Sequence, residues 1–334
     1  MKIIVRMPNW IGDLIMATPI LSDLRSAFPE AEITALCKTP GSELLEYDES
    51  IDELFSFTRP ENKFLRRVSQ RNIIEKLRLG KYDIGLLLTG SFSSAWLFWQ
   101  GRIKQRIGFA QHWRSLLLTD PVSLPNSPMH QVELYKELLR PLKIEPTTTT
   151  PRIFLKQKEL IDAGRLCPHK GKLIGINPGA AYGSAKCWPP EHFSELAARL
   201  TEEDPETTVL FFGDASSFEL VKKICVDLPE RVINLAGMTS LRELACLIKE
   251  CDLLITNDSG PMHIAAALNV PLIALFGSTD ETRTGPYGVR EGVINKHVSC
   301  SPCFRRTCPI DFRCMKEISV DEVLELAMKK RNRV

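Results

Sequence analysis

The residues best suited to carry out chemistry form a polar stretch, 256–263, between two apolar runs. The run before it, 252–255, has the length of a buried strand, and the run after it, 264–268, has the alanine-rich character of a helix. The stretch therefore predicts a strand-to-helix turn. Backbone N–H groups and the positive end of the helix dipole make such a turn suitable for binding an anion. The stretch includes Asp258, Ser259, Gly260, Met262 and His263.

The same pattern also fits a helix that is merely well capped. Asp258 and Ser259 are both residue types that cap helix N-termini. Pro261 is tolerated in a first helical turn, where its missing N–H group needs no acceptor. From the residues alone, the anion site and the capped helix remain alternatives.

A second polar loop, 177–189, follows an apolar run and precedes another helical stretch. Its small residues, Gly179 among them, allow the backbone to fold against a ligand, and Lys186 supplies the point charge that a phosphate site needs. An ordinary surface lysine would fit the pattern equally well. Asp214 follows Gly213 at the end of a predicted strand, where a carboxylate could contact a ribose, as acidic residues do in nucleotide sites.

The third polar turn lies near the N-terminus, where residues 9–13 read Asn-Trp-Ile-Gly-Asp. A predicted strand over 2–7 precedes it, and a buried helix up to about residue 28 follows. Gly12 permits a tight turn, and Asp13 stands where an N-cap or a first-turn carboxylate belongs. The turn is not the dinucleotide-binding fingerprint, because the three glycines of that motif are missing.

These turns require strands that end at the same edge of a sheet. Strand-like apolar runs alternate with helical stretches such as 62–79 and 129–142, which indicates parallel sheets covered by helices on both faces. The strand-like runs are 2–7, 33–37, 54–57, 84–88, 173–177, 209–212, 232–235 and 272–276. We therefore expect an α/β protein with two doubly wound, Rossmann-like domains and a ligand cleft at the carboxyl ends of both sheets.

The expected domain boundary is a segment rich in proline and threonine, 145–151. The length of 334 residues suits two domains of roughly 150 residues each. We expect an N-terminal domain over 1–150, a C-terminal domain over 151–320, and a final helical segment, 321–334, that could cross back to the N-terminal domain. Residues 111–128 are expected to be rich in loops.

The composition argues against several classes of protein. Lys and Arg total 43 against 41 Asp and Glu, for a net charge of +2, so there is no bulk electrostatic case for a nucleic-acid partner. The N-terminus lacks the long apolar middle of a signal peptide, and no apolar run approaches the ~20 residues of a membrane span. We therefore expect a cytoplasmic protein whose ten cysteines are largely reduced.

One segment, 62–106, is locally basic and aromatic. Its charged and aromatic residues include Lys63, Arg66, Arg67, Arg71, Lys76, Arg78, Lys81, Trp96, Phe98, Trp99, Arg102, Lys104 and Arg106. Cations interleaved with aromatics can dock on an anionic membrane surface, where each basic residue adds about 1 kcal/mol. Solvated helix faces have a similar composition, so both interpretations stay open.

Four segments together resemble the bacterial ADP-heptose:lipopolysaccharide heptosyltransferases (glycosyltransferase family 9). They are Asn9–Asp13, Pro178–Pro190 with its Lys186-Cys187-Trp188-Pro189-Pro190 sequence, Thr256–His263, and Phe276–Thr279 with Thr284–Pro286. The first segment is closer to the heptosyltransferase II form than to the heptosyltransferase I form. The resemblance implies a GT-B fold, an acceptor on the N-terminal domain, a nucleotide sugar on the C-terminal domain, and inversion at the anomeric carbon without a catalytic metal.

The resemblance also implies roles for individual residues. Asp13 matches the general base that takes the proton of the acceptor hydroxyl, and Lys186 matches the lysine that neutralises the leaving diphosphate. The other donor- and nucleotide-binding residues implied are Gly179, Gly213, Thr239, Asp258, Ser259, Gly260, Met262 and His263. The acceptor-binding residues implied are Asn9, Trp10 and Gly12. Thr239 is expected near the adenine, and Cys187 departs from the arginine that relatives often carry at its position.

Four cysteines lie close together in the sequence near the C-terminus: Cys300, Cys303, Cys308 and Cys314. Four thiolates at short spacing can bind a structural zinc ion, but this spacing is not the paired C-x2-C arrangement of a zinc ribbon. We therefore expect reduced thiols packed on the domain and no cofactor, with structural zinc as the less favoured alternative.

Together, the residues and the resemblance predict an inverting glycosyltransferase that uses ADP-L-glycero-β-D-manno-heptose. Its acceptor would be lipid A–Kdo–heptose, at the cytoplasmic face of the inner membrane, to which the enzyme would bind peripherally. The alternatives are a related GT-B transferase, such as heptosyltransferase I or one with another nucleotide sugar or acceptor, and a nucleotide-sugar binding protein without catalysis. The presence of Asp13 and Lys186 argues against the last alternative.

Overall fold

The computed structural model describes residues 1–167, 169 and 171–331. The chain divides into two compact units, Met1–Phe154 and Leu155–Val334. Each unit has its own parallel sheet and its own helices.

The segment predicted to be a linker is bound to the first unit. The hydroxyl groups of Thr147 and Thr149 donate to the carboxylate of Asp23, at 2.7 and 2.9 Å. The backbone N–H of Arg152 donates to the Thr18 hydroxyl at 3.0 Å. These bonds explain why the division falls a few residues later than the predicted boundary.

The sheet of the first unit has six parallel strands in the order β3-β2-β1-β4-β5-β6. Their bounds are β1 Lys2–Arg6, β2 Glu32–Lys38, β3 Glu53–Phe57, β4 Ile84–Leu87, β5 Gln105–Phe109 and β6 Asp120–Val122. The central strand β1 pairs on both sides, so that Val5 lies opposite Ala35 of β2 and Leu86 of β4. Because both faces of such strands are buried, they read as continuous apolar runs in the sequence.

The sheet of the second unit also has six parallel strands, in the order β12-β11-β10-β7-β8-β9. Their bounds are β7 Leu173–Asn177, β8 Thr208–Phe211, β9 Val232–Asn234, β10 Leu253–Asn257, β11 Leu272–Phe276 and β12 Val293–Asn295. In the centre, Ile255 of β10 lies opposite Ile176 of β7 and Ile273 of β11. The predicted pair of doubly wound parallel sheets is therefore confirmed.

Helices connect the strands in both units. Those of the first unit are α1 Ile11–Met16, α2 Thr18–Ala27, α3 Lys63–Gly80, α4 Phe92–Gln100 and α5 Gln131–Lys136. Those of the second are α6 Gln157–Gly164, α7 Pro190–Glu203, α8 Phe218–Ile224, α9 Leu241–Glu250, α10 Gly260–Ala267, α11 Glu281–Thr284, α12 Arg313–Lys316 and α13 Val320–Arg331. Within the described residues, no helix combines the length and the apolarity needed to cross a bilayer.

Short edge elements differ most from the predictions. The sequence analysis did not predict β5, β6 or β12 as strands; β5 carries polar residues, and the other two have three residues each. Strand β6 contains Pro121, which is tolerated because the strand lies at the edge of the sheet. The predicted helix 129–142 is α5 followed by a 3-10 segment, Glu137–Leu142, that contains Pro141. Proline removes a helical hydrogen bond, which favours this tighter ending.

The last helix, α13, packs on the second unit. Its residues Val323, Leu324 and Ala327 are buried in one core with Ile255 and Ile273 of the central strands. The apolar side chains of the helix are thereby covered within the unit. The expectation that 321–334 crosses back to the first domain is therefore wrong as far as residue 331, and residues 332–334 lie outside the described part of the chain.

Candidate active site

Three loops of the second unit lie side by side where the strand order reverses. Strand β10 has β7 on one side and β11 on the other, although β8 and β9 come between β7 and β10 in sequence. Parallel strands direct their carboxyl ends to one edge, so the loops that follow β7, β10 and β11 are neighbours there. This switch point is the usual ligand-binding position of a doubly wound sheet.

Two buried asparagines, which the sequence analysis did not single out, join the loops that follow β7 and β10. Asn177 ends β7, and its amide donates to the Ser259 hydroxyl at 3.0 Å. Asn257 ends β10, accepts from the Trp188 N–H at 3.0 Å and donates to the Pro178 carbonyl at 2.7 Å. Each such bond contributes about 1 kcal/mol, and a buried group left unpaired costs more. The available signal is an asparagine at the end of each of two apolar runs.

Lys186 lies in the loop after β7 and is half-buried beside the carboxylate of Asp258, which follows β10. Its ammonium pairs with Asp258 Oδ2, and 13% of the lysine side chain is exposed against 5% of the aspartate side chain. The same Oδ2 accepts from the Thr279 hydroxyl, in the loop after β11, at 2.6 Å. The Tyr182 ring centroid lies 4.8 Å from the Lys186 ammonium. A charge at this depth needs a partner, so the alternative of an ordinary surface lysine is wrong.

The stretch 256–263 is the strand-to-helix turn that its sequence predicts, since β10 ends and α10 begins within it. Ser259 occupies the N-cap position of α10, but its side chain makes no capping hydrogen bond. Its hydroxyl oxygen lies 3.0 Å from that of Thr256, and Asp258 is engaged by Lys186. The alternative of a helix capped by either side chain is therefore wrong.

The first turn of α10 presents mainly its backbone. Pro261 lies within this turn as predicted, and the side chains of Met262 and His263 are buried. The N–H groups of a first helical turn have no acceptors within the helix, and the helix dipole adds positive potential there. Gly260 opens the turn without a side chain. With Lys186 beside it, this end of α10 is suited to bind an anion.

The remaining predicted nucleotide-binding residues follow β7, β8 and β9 along the same edge. A Cβ on Gly179 would lie 3.1 Å from the Ser217 hydroxyl oxygen, and one on Gly213 would lie 2.8 Å from the Ser217 Cβ, so both glycines permit close packing. Thr239 is half-buried in the loop between β9 and α9. Asp214 uses its Oδ1 to cap a short 3-10 turn, accepting from the Ser217 N–H at 3.0 Å.

Asp13 lies in the first unit, beyond the loop that follows β1. Helix α1 begins at Ile11, and Trp10 is the N-cap residue, so Asp13 is the third residue of the helix. The alternative of Asp13 as the N-cap is therefore wrong. The half-buried carboxylate lies in the first helical turn, where the helix dipole stabilises a negative charge. The order of the first sheet reverses between β1 and β4, so this loop also lies at a switch point.

Tyr135 of α5 lies close enough to Asp13 for the two side chains to interact electrostatically. Burial raises the pKa of Tyr135 well above its usual value, and the negative charge of Asp13 raises the pKa further. The phenol therefore stays protonated at neutral pH. Sequence patterns could not find this neighbour, because α1 and α5 are distant in the chain and meet only in the folded unit.

The predicted acceptor-binding residues lie in the loop before α1 and in its first turn. Asn9 Oδ1 accepts from Arg6 Nη2 at 2.6 Å. Arg6 is buried with its guanidinium 4.7 Å from the Phe57 ring centroid, and burial lowers the pKa of Arg6 to about 10. Trp10 is 55% exposed and Gly12 is half-buried. Arg6, a charge within an apolar strand, is a signal that the sequence analysis missed.

The four clustered cysteines range from exposed to buried. Cys300 and Cys303 are exposed, Cys308 is half-buried and Cys314 is buried. Burial, together with a smaller contribution from the neighbouring cysteines, raises the pKa of Cys314 to about 11. Within the described residues, no three or more His, Cys, Asp or Glu side chains are arranged to hold a metal ion.

The predicted site residues thus fall into two groups. The second unit brings together Lys186, Asp258, Ser259, Gly260, Met262 and His263, with Gly179 in the loop of Lys186. Gly213 and Thr239 lie further along the same sheet edge, after β8 and β9. The first unit holds Asp13 with Asn9, Trp10 and Gly12.

The chain is similar to known proteins in both sequence and structure. Residues 70–312 match the model of glycosyltransferase family 9 (heptosyltransferase). Lipooligosaccharide heptosyltransferase 2 of Campylobacter jejuni is 31% identical over 98% of this chain and 97% of its own length. Lipopolysaccharide heptosyltransferase 2 of Salmonella typhimurium is 33% identical over 88% of each chain. The structure of E. coli ADP-heptose lipopolysaccharide heptosyltransferase II matches with a TM-score of 0.85 and 29% identity, covering 100% of this chain and 99% of that one.

Proposed function

The chain belongs to glycosyltransferase family 9, the heptosyltransferases, and from this membership we propose that it transfers a heptose from ADP-L-glycero-β-D-manno-heptose to the first heptose of the lipopolysaccharide inner core. The protein is a glycosyltransferase. The resemblance noted in the sequence is confirmed, and so is the GT-B type fold with two Rossmann-like domains.

The observation that carries the donor half of this proposal is the ion pair between the half-buried Lys186 and the buried Asp258, which lies just before the start of α10. It places a fixed cation and a helix N-terminus together at the switch point of the second sheet. A diphosphate is the anion that such a pair of positive groups suits, since its charge is spread over two phosphoryl groups. The loops carrying Gly213 and Thr239, further along the edge, are our candidates for the nucleoside.

In the proposed reaction, the acceptor hydroxyl oxygen attacks the anomeric carbon of the donor heptose and forms the new glycosidic bond. The bond from that carbon to the β-phosphate oxygen breaks, and its electron pair leaves on ADP. Asp13 accepts the hydroxyl proton as general base. Lys186 and the first turn of α10 stabilise the negative charge that develops on the departing diphosphate. Asn9, Trp10 and Gly12 are our candidates for holding the acceptor.

The same groups support transfer without a catalytic metal. Lys186 is held in place by Asp258, so the protein itself supplies positive charge at the proposed diphosphate position. We propose that this charge, with the dipole of α10, takes the part that a divalent cation takes in other nucleotide-sugar enzymes. Turnover should therefore be the same in EDTA as in excess Mg²⁺.

An acceptor series tests the proposed substrate. We expect the purified enzyme to release ADP from ADP-heptose with an acceptor that carries one heptose. It should be at least about 100-fold slower with acceptors that carry none or two, because polar groups of the site that bind the hydroxyls of the first heptose would be left unpaired by those acceptors. ADP release and product mass are the measurements. Use of the acceptor without heptose alone would make this a heptosyltransferase I.

Helices α3 and α4 support a peripheral position on a membrane. Lys63, Arg67 and Arg71 are exposed on α3 at intervals of four residues, so they lie on one side of the helix. Phe64 of the same helix is 72% exposed, and Trp99 of α4 is 47% exposed. We propose that this basic and aromatic surface docks on anionic lipid at the cytoplasmic face of the inner membrane, where the acceptor is displayed.

Vesicle binding tests this placement. The enzyme should co-sediment with vesicles containing anionic lipid. An Arg67→Glu/Arg71→Glu variant should bind at least about 30-fold less tightly, since the loss of two basic residues at about 1 kcal/mol each amounts to about 2 kcal/mol and the added carboxylates repel the surface. The matched control is Lys158→Glu/Lys222→Glu, which reverses two exposed charges on the second unit. Equal weakening in both variants would show a bulk charge effect and remove α3 from the proposal.

A further inference from the structure

The segment that carries the clustered cysteines, residues 300–314, lies against the proposed donor site. The Phe304 N–H donates to the Ser278 carbonyl at 2.7 Å, and the Ser301 hydroxyl donates to the Gly277 carbonyl. Both carbonyls belong to the loop after β11 that also supplies Thr279. The cysteine-rich segment is thus fixed to one of the three loops at the switch point.

The same segment is also fixed to the loop of Lys186. The Tyr182 hydroxyl donates to the Phe304 carbonyl at 2.7 Å, and the Ala185 N–H donates to the Arg306 carbonyl at 3.0 Å. Gly183 has a φ of +152°, and a Cβ there would collide with the Arg306 carbonyl oxygen. A glycine at 183 therefore permits this close approach. These contacts hold the backbone of Arg306 next to the residue that precedes Lys186.

The side chain of Arg306 turns toward the same aromatic ring as Lys186. Its guanidinium carbon lies 5.4 Å from the Tyr182 ring centroid, and the Lys186 ammonium lies 4.8 Å from it. Each distance is within the range of a cation–π contact. The Tyr182 ring therefore contacts two positively charged groups, Lys186 and Arg306, that come from different segments of the chain.

The balance of charge at this place is positive. Asp258 pairs with Lys186, and no carboxylate in the described part of the chain forms an ion pair with Arg306, which is exposed. Cys187 adds no positive charge beside Lys186, and burial raises the pKa of its thiol, so it adds no negative charge either. A guanidinium group whose N–H donors are exposed to solvent is suited to bind a phosphate group through two parallel hydrogen bonds.

We propose that Arg306 binds the diphosphate of the donor. It would be a second cation there, positioned near Lys186 by the cysteine-rich segment. This inference rests on the proposed function, since it takes the donor to be a nucleoside diphosphate sugar. When the bond between the anomeric carbon and the β-phosphate oxygen breaks, the electron pair stays on the phosphate. Arg306 then shares the added charge with Lys186 and α10.

Calorimetric titration with ADP and with adenosine tests the assignment. The Arg306→Gln variant keeps the backbone carbonyl that binds Ala185, so the loop contact remains. We expect it to bind ADP about tenfold more weakly than the wild type, the scale of one charge-assisted hydrogen bond, and to bind adenosine equally well. The matched control is Arg305→Gln, the same change at the neighbouring exposed residue, which should bind ADP within about twofold of the wild type.

Four outcomes decide against this role. ADP affinity of Arg306→Gln within twofold of wild type would remove Arg306 from the site, and an equal loss in Arg305→Gln would reduce the effect to bulk charge. An equal loss for adenosine would indicate a collapsed loop in place of a lost phosphate contact. A wild-type protein that binds ADP no better than adenosine would instead overturn the proposed donor site itself, and Arg306 with it.

Discussion

An Asp13→Asn enzyme should bind ADP as the wild type does and turn over at least about 100-fold more slowly. The amide is close in size to the carboxylate but cannot take the proton of the acceptor hydroxyl. The loss should lie in turnover, because the residues proposed to bind ADP all belong to the second unit. Steady-state kinetics with saturating donor and acceptor, and calorimetry with ADP, are the two measurements.

The control is Glu30→Gln, an exposed carboxylate of the same unit that receives the same chemical change. It should keep wild-type turnover and the wild-type unfolding temperature. Asp13→Asn should unfold only a few degrees lower, since it loses the interaction of the carboxylate with the helix dipole, about 0.3–1 kcal/mol. Near wild-type turnover in Asp13→Asn would remove Asp13 from the mechanism. A loss confined to the acceptor KM would make it a binding residue only.

Replacing Lys186 with Gln should lower turnover by about 10²- to 10³-fold, the effect of removing one preorganised group that stabilises developing charge. It should also destabilise the protein by about 3 kcal/mol, because among the described residues it leaves the buried Asp258 carboxylate with the Thr279 hydroxyl as its remaining side-chain donor. Turnover and urea unfolding are the measurements, each compared with the wild type.

A double variant separates these two effects. Lys186→Gln/Asp258→Asn removes both charges, so no buried carboxylate is left without its cation, and most of the lost stability should return. Turnover should stay low, since the positive charge at the diphosphate is still missing. Recovery of turnover together with stability would show that Lys186 serves the fold and not the leaving group.

The central strands could be predicted from the sequence because parallel strands buried on both faces are nearly all apolar. Strands β4 and β11 illustrate this, since every residue in both is buried. Strand β5, with Gln105 and Arg106 at its start, lacks that signal, and β12 is a three-residue edge strand. Such strands form because a neighbouring strand offers hydrogen bonds, and local sequence does not report that neighbour.

The sequence predicted which loop carries each site residue, but not which of these residues contact one another. Lys186 and Asp258 each lie in the loop that follows a predicted strand. They are 72 positions apart in sequence, and their ion pair exists because β7 lies beside β10. The contributions of Asn177, Asn257 and Thr279 depend on the same strand order. Sequence patterns allowed either Asp258 or Ser259 to be a capping side chain. The hydroxyl of Ser259 instead lies within hydrogen-bonding distance of Thr256 and accepts from Asn177.

The ion pair between Lys186 and Asp258 also bears on which anions can occupy this part of the protein. An anion that binds Lys186 can use the N–H donors that Asp258 leaves available, but it must also approach the negative charge of that carboxylate. A chloride ion or a single carboxylate gains little against this repulsion. A diphosphate, which can contact the lysine, the start of α10 and a second cation at once, gains several contacts that offset it. The carboxylate of Asp258 thus favours anions that make several contacts at once over anions that contact Lys186 alone. We therefore expect abundant small anions to be poor inhibitors.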